Sequence, residues 1–158
     1  MGKFFDLIER LVNADVEFVI VGGFAGVVQG CTFVTQDIDI CCEFTSANLL
    51  RLQKAIDDLN PVHRMTPNRQ KLKLTEESPN QYKNLYLDTD IGQLDCISYV
   101  DGVGGFGEVK EASDLIEVEN VELRVLNIDA LIESKKAMNR PRDREAILQL
   151  EAIKKLKK

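Results

Sequence analysis

Apolar residues first recur at helical spacing. Phe4, Leu7, Ile8, Leu11 and Val12 predict an amphipathic opening helix, ended by Asn13-Ala14-Asp15. Phe18-Val19-Ile20-Val21 is a short, β-rich apolar run and reads as a buried strand. Gly22-Gly23 breaks it, and Phe24 to Gln29 reads as a short helix stopped by Gly30. Asp37 to Cys42 alternates carboxylate with apolar residue, a strand with one unusual face. Thr45 or Ser46 caps a second helix, Ala47 to Leu59, which Asn60-Pro61 ends. Residues 62–81 are polar and irregular. Asn84 to Leu87 and Gln93 to Ile97 read as a hairpin turning at Asp88-Thr89-Asp90. Gly102 to Gly107 lacks the G-x-x-x-x-G-K-[ST] pattern of a phosphate loop and reads as a turn. Leu115 to Val118 and Val121 to Val125 form a second hairpin around Glu119-Asn120. Two helices close the chain, Ile128 to Met138 and Pro141 to Lys157, with Pro141 suited to a first turn. The expected architecture is one α+β domain over residues 1–158. It has a small mixed sheet flanked by helices (core about 16–126) and a C-terminal helical segment (about 127–158).

The chain's length of 158 residues suffices to bury a core without a disulfide or metal staple. No apolar run approaches the ~18 residues of a membrane span, and the N-terminus is amphipathic rather than signal-like. Cys31, Cys41, Cys42 and Cys96 show no C-x-x-C spacing. They read as buried reduced thiols, so a cytoplasmic protein is expected. The net charge of −6 argues against a bulk electrostatic grip on nucleic acid. The charge is uneven, however: Asp129 to Lys158 carries nine Lys/Arg against five Asp/Glu. Such an end could hold phosphate or could simply be solvated helix. His63 reads as a surface histidine, and the basic stretch from His63 to Lys73 as a solvated loop.

The sharpest chemical feature is Asp37-Ile38-Asp39-Ile40. Carboxylates two apart on a strand point to one face, with about 6–7 Å between Cα atoms. They repel unless solvated, or unless a divalent cation lies between them. Two ordinary acids on a solvent-facing strand are the plain alternative. Val21-Gly22-Gly23 lies upstream at a strand-to-helix turn, where glycine lets backbone approach a ligand and helix N–H groups suit phosphate. Asp95 interrupts the apolar strand Gln93-Leu94-Asp95-Cys96-Ile97 and so needs a partner. If that strand lies beside Asp37 to Cys42, three carboxylates converge, a donor set that suits Mg2+.

This pattern of apolar-Gly-Gly, then Asp-Ile-Asp-Ile, then a later apolar-Asp-apolar strand resembles the DNA polymerase beta-like nucleotidyltransferase superfamily. Several further segments resemble stand-alone nucleotidyltransferases related to the AbiEii toxin group. These are Thr35, the Leu85…Gly92…Leu94-Asp95 hairpin, Gly102-Val103…Phe106, and Leu131-Ile132…Lys135…Arg140-Pro141-Arg142-Asp143. The likeness covers about residues 16–150, with a poor match over 60–82.

The resemblance implies transfer of a nucleoside monophosphate from an NTP to a hydroxyl on a protein, an RNA 3′ end or a small molecule. It implies Mg2+ (or Mn2+) on Asp37, Asp39 and Asp95, with Asp95 helping to activate the acceptor. Gly22, Gly23, Thr35 and Lys135 would serve the nucleotide and its phosphates, although Lys135 reads equally as a solvated helix lysine. Relatives often carry histidine at Gln29 and arginine at Phe33, and some carry serine at Gly23. Those departures would weaken triphosphate binding, or would assign that task to Lys135 or to Arg64, Arg69, Lys71 and Lys73. Because only two short helices follow the sheet, dimerisation or a protein partner could complete the acceptor site. The competing expectation is an inactive module of the same fold, acting as a toxin–antitoxin partner or a nucleotide sensor.

Overall fold

The computed structural model describes residues 3–35 and 37–157. The side chain of Phe4 and the terminal Lys158 lie outside the described residues. The chain runs α1 (Lys3–Asn13), β1 (Phe18–Val21), α2 (Gly22–Val28), β2 (Asp37–Cys42) and α3 (Ser46–Ile56). Next come β3 (Val62–His63), α4 (Ser78–Gln81), β4 (Asn84–Thr89), β5 (Gly92–Ile97), β6 (Tyr99–Val100), β7 (Gly104–Gly105) and α5 (Phe106–Glu111). It finishes with β8 (Ser113–Val118), β9 (Val121–Leu126), α6 (Ile128–Met138) and α7 (Arg144–Leu156).

The strands form a seven-stranded mixed sheet in the order β3-β4-β5-β2-β1-β9-β8, and β6 pairs with β7 apart from it. The β2–β5 and β1–β9 pairs are parallel; the other pairs are antiparallel. This is the expected α+β arrangement of a mixed sheet flanked by helices. Side-chain alternation sorts β2: Ile38 and Ile40 are fully buried, whereas Asp37 is exposed and Asp39 partly so. Leu85, Leu87, Leu94 and Cys96 continue the buried face, with Leu7, Ile8, Leu11, Leu49 and Leu52 of α1 and α3 in the same core. Each such side chain contributes about 1.5–3 kcal/mol by leaving water.

Local chemistry accounts for the boundaries. Thr45 Oγ1 accepts from the Asn48 N–H (3.3 Å) and starts α3. The helix expected to reach Leu59 gives way at Asp57–Leu59 to a tighter 3-10 turn. There Asn60 turns left-handed (φ 51°) ahead of Pro61, which cannot continue a helix.

The first hairpin is longer than expected. Thr89 Oγ1 donates to the Gly92 carbonyl (2.8 Å) and accepts from the Ile91 N–H (3.2 Å), closing a loop of only Asp90 and Ile91. Asp88 is therefore a strand residue and not part of the turn. Glu119 and Asn120 both take positive φ (52° and 68°), the pairing that matches strand twist in two-residue hairpins.

The C-terminal helix differs at its start. Pro141–Asp143 forms a 3-10 turn before α7 begins at Arg144, so the expected helix from Pro141 is offset. The glycine stretch expected to be a plain turn contains β7 and leads into α5, where the Gly105 N–H donates to Glu108 Oε1 (3.3 Å). Within residues 62–81, β3, α4 and the buried Leu72 and Leu74 replace the irregular reading.

Candidate active site

The site lies on the polar face of the sheet. Direct pairing sets one row across four strands: Val21 faces Asp39, Asp39 faces Asp95, and Asp95 faces Tyr86. The row ends at Arg64, just beyond β3, whose N–H donates to the Tyr86 carbonyl (2.8 Å). In the adjoining row Asp37 faces Gln93. With its amide set to donate, Gln93 reaches both carboxylate oxygens of Asp37 (3.2 and 3.1 Å). The condition set by the sequence, that the Asp95 strand lie beside Asp37 to Cys42, is met in register.

Val21, Asp37, Asp39, Asp95 and Tyr86 line a cleft of about 600 Å³. Gly22 and Gly23 stand at its edge, while Lys135, Arg140 and Arg142 form the opposite, basic wall. Asn84, Ile97, Tyr99, Asp101 and Met138 are among its other lining residues, and none of these carries a signal in the sequence alone. Gly22 has φ +69°, and a Cβ there would collide with Asp39 Oδ2, so only glycine fits against the carboxylate. A Cβ on Gly23 would stand 3.1 Å from Thr35 Oγ1, which itself donates to the Asp37 carbonyl (3.3 Å). Thr35 thus supports the glycine turn and the start of β2, and it does not line the cleft.

Electrostatics mark Asp39. Burial first, then the Asp95 and Asp37 carboxylates, push its carboxyl up to about 6, with Arg64 and Lys135 pulling the other way. A carboxylate destabilised by its like-charged neighbours is what a divalent cation would relieve. Asp37 and Asp39 fit that role, since Mg2+ is commonly held by one or two carboxylates together with substrate phosphates. Among the described residues, no three His, Cys, Asp or Glu side chains gather closely enough to enclose a metal by themselves. Asp95 differs from the other two: each of its oxygens accepts from Arg64, Oδ1 from Nη1 at 2.9 Å and Oδ2 from Nη2 at 3.1 Å. The carboxylate row is therefore two plus one, with Asp95 already partnered.

On the basic wall, Lys135 Nζ lies 3.6 Å from Asp143 Oδ1. Arg140 grips the same carboxylate through Nε (2.6 Å) and Nη2 (3.1 Å). Burial alone would raise the Asp143 carboxyl, but Arg140 and Lys135 hold it below its ordinary value. Lys135 is thus a largely buried, held cation (side chain 12% exposed) and not a solvated helix lysine.

Of the other cations considered, Arg64 is on Asp95 and Arg69 Nη2 is on Asp88 (2.6 Å). Gln29 and Phe33, where the resemblance implies histidine and arginine, both make packing or hydrogen-bond contacts within the fold. Gln29 is buried, donating to the Leu126 carbonyl (3.1 Å) and Asp114 Oδ2 (3.2 Å). Phe33 packs against α2, its ring 2.9 Å from where a Gly26 Cβ would be.

No family model matches this chain, and no curated protein matches it by sequence. Solved structures do match its fold. The lincosamide antibiotic adenylyltransferase LnuA, solved with lincomycin bound, aligns with a TM-score of 0.63 at 16% identity, covering 96% of each chain. A Thermotoga maritima protein described as a nucleotidyltransferase aligns at 0.58 and 13%, covering 92% of this chain and 88% of that one. The antibiotic-resistance factor ANT(2'')-Ia aligns at 0.58 and 15%, covering 97% and 83%. The chain therefore has the nucleotidyltransferase-like fold. No helix among the described residues is long and apolar enough to cross a membrane.

Proposed function

We propose that this chain is a metal-dependent nucleotidyltransferase that moves a nucleoside monophosphate from an NTP to a hydroxyl. The supporting observation is that Asp39 faces Asp95 across the sheet and that both line one cleft with Asp37 and Lys135. Asp37 and Asp39 would hold Mg2+ or Mn2+. Such an ion, when bound, neutralises triphosphate charge and lowers the pKa of an attacking hydroxyl. Gly22 and Gly23 give the phosphates close access to backbone N–H groups, and Lys135 holds positive charge on the side where pyrophosphate leaves. Asp95 faces the acceptor and draws on its O–H proton. The new bond joins the acceptor oxygen to the α-phosphorus, and the bond from the α-phosphorus to the bridging oxygen breaks.

Among acceptors, a small hydroxylated molecule is supported by two structural neighbours, one solved with lincomycin and the other with adenylyl-2''-tobramycin. The sequence likeness to AbiEii-group proteins keeps a macromolecular acceptor as the alternative. A second reading, a nucleotide-binding module without turnover, draws on Phe33 and Gln29 standing where relatives carry cations. Calorimetric titration of each NTP, with and without Mg2+, on wild type and Asp37→Ala tests both. Metal-dependent binding lost in the variant is expected. Transfer of label from an α-labelled NTP then separates enzyme from module, and no binding of any NTP by the folded protein overturns both readings.

A further inference from the structure

Asp95 is held more firmly than a free metal ligand or base would be. Arg64 meets it with a two-pronged guanidinium, the geometry that gives carboxylate pairing both strength and direction. The guanidinium is itself fixed. Nη1 also donates to the Leu87 carbonyl (3.2 Å), and its carbon lies 5.9 Å from the centre of the Tyr86 ring. The Arg64 backbone is tied to β4 through the Tyr86 carbonyl, and Asp88 Oδ1 lies 3.8 Å from Nη1. Both partners are about four-fifths buried, with side-chain exposures of 21% and 19%. Water therefore screens the pair poorly. Each Asp95 oxygen keeps a further lone pair, so a metal ligated by Asp95 would compete with Arg64 for the direction and charge of the carboxylate rather than for a free group.

We propose that Arg64 is the positioning residue of Asp95, an internal cation that keeps this carboxylate out of the resting metal site and fixes its direction toward the acceptor. The inference rests on the reading of Asp37 and Asp39 as the metal-holding pair. It makes the nucleotide-free protein a two-carboxylate, weak metal binder that depends on triphosphate oxygens to complete coordination. Arg64 thereby differs in role from Lys135, which faces phosphate from the opposite wall.

Mn2+ titration of the nucleotide-free protein at pH 8, read by the electron paramagnetic resonance signal of free Mn2+, tests this. Arg64→Gln is expected to bind Mn2+ about tenfold more tightly than wild type, because a third carboxylate joins the donor set. Arg64→Gln/Asp95→Asn is expected to return to the wild-type affinity. Arg64→Lys, which offers charge to one oxygen only, is expected to lie between. An Arg64→Gln protein that melts cooperatively and binds no tighter overturns the proposal. So does a gain that survives in the double variant, which would be simple loss of positive charge near Asp37 and Asp39. Should Arg64→Gln fail to fold, Arg64→Lys decides: a gain of a few-fold supports the proposal, and none overturns it. The function proposed above fails by a different result, namely no Asp37-dependent Mn2+ binding by wild type when an NTP is present.

Discussion

Asp39 and Asp95 stand directly opposite each other on the parallel strands β2 and β5, yet only Asp95 has a cation on it. The two carboxylates therefore live in different electrostatic conditions although they are direct neighbours across the sheet. Asp95 is compensated by Arg64, while burial and both neighbouring carboxylates push the Asp39 carboxyl up to about 6. The strain of the site collects on Asp39.

That asymmetry predicts a pH-dependent stability with a definite sign. Unfolded, Asp39 titrates near 3.8; folded, near about 6, so the folded state binds its proton more tightly. Stability from this group is present below the unfolded value and is lost as pH rises from about 4 to about 6. Asp39→Asn removes the penalty. In thermal melts without metal, the variant should match wild type near pH 4 and exceed it above pH 6. The gain at the plateau should be on the order of 2–3 kcal/mol at most. A difference that stays constant across pH, or a wild type more stable at pH 8, would refute the electrostatic account. Mg2+ should raise the melting temperature of wild type and not of the variant.

Gly22 predicts a steric result. Its positive φ and the collision of any Cβ with Asp39 Oδ2 make Gly22→Ala strained twice, by backbone and by contact. The expected cost is about 1–3 kcal/mol, or several degrees of melting temperature for a chain of this size. Asp39 must shift to make room, so NTP affinity in the presence of Mg2+ should fall as well. Unchanged melting together with unchanged affinity would mean that the strand-to-helix turn can open freely.

The strands and helices with a clean period are legible in the sequence. Val19 and Ile20 of β1, the alternating β2, and α3 behind its Thr45 cap all carry their own local signals. The Asp37/Asp39 face follows from the two-residue period alone, and Asp95 stands out as a lone acid in an apolar strand. What local pattern does not supply is pairing across distance. Arg64 lies in a stretch without periodicity, and only β3 beside β4 brings it to Asp95. Asp88 reads as a turn residue because its type favours turns, but Thr89 closes a tighter loop beyond it. Phe106 to Glu111 hides behind glycines that signal a break, with the helix held by Glu108 reaching back to Gly105. Lys135 falls on a helix that its own pattern predicts, whereas its burial depends on Asp143 in the next element.

Gln29 offers a control that separates scaffold from site. It is buried, its amide serves the Leu126 carbonyl and Asp114, and it is not among the residues lining the cleft. Gln29→Leu leaves those acceptors without their donor, at about 1–3 kcal/mol. Denaturant unfolding should register that loss, while the NTP dissociation constant of the folded protein stays within about twofold. A large loss of nucleotide affinity would instead place this position in the ligand's path.

Asp143 and Lys135 predict opposite signatures from one ion pair. Asp143 is buried (side chain 6% exposed) and carries both Arg140 and Lys135, so Asp143→Asn leaves two cations without their charge partner. Breaking such a pair from one side costs on the order of 3 kcal/mol when buried, and less here because Arg140 is about a third exposed. Lys135→Met keeps most of the aliphatic bulk and leaves Arg140 to satisfy Asp143. Its stability should change little. The lysine would nonetheless be missing from the cleft wall, and a lost charge-assisted contact of about 1.5–3 kcal/mol corresponds to roughly 10- to 150-fold weaker NTP binding. Mn2+ binding without nucleotide should not weaken, because the lysine acts on Asp39 only through its charge, and its loss can only favour the cation. Paired unfolding curves and NTP titrations on the two variants check this. If Lys135→Met lost stability and kept its nucleotide affinity, the lysine would be a structural counter-ion of Asp143 and the phosphate wall would have to be built from Arg142 instead.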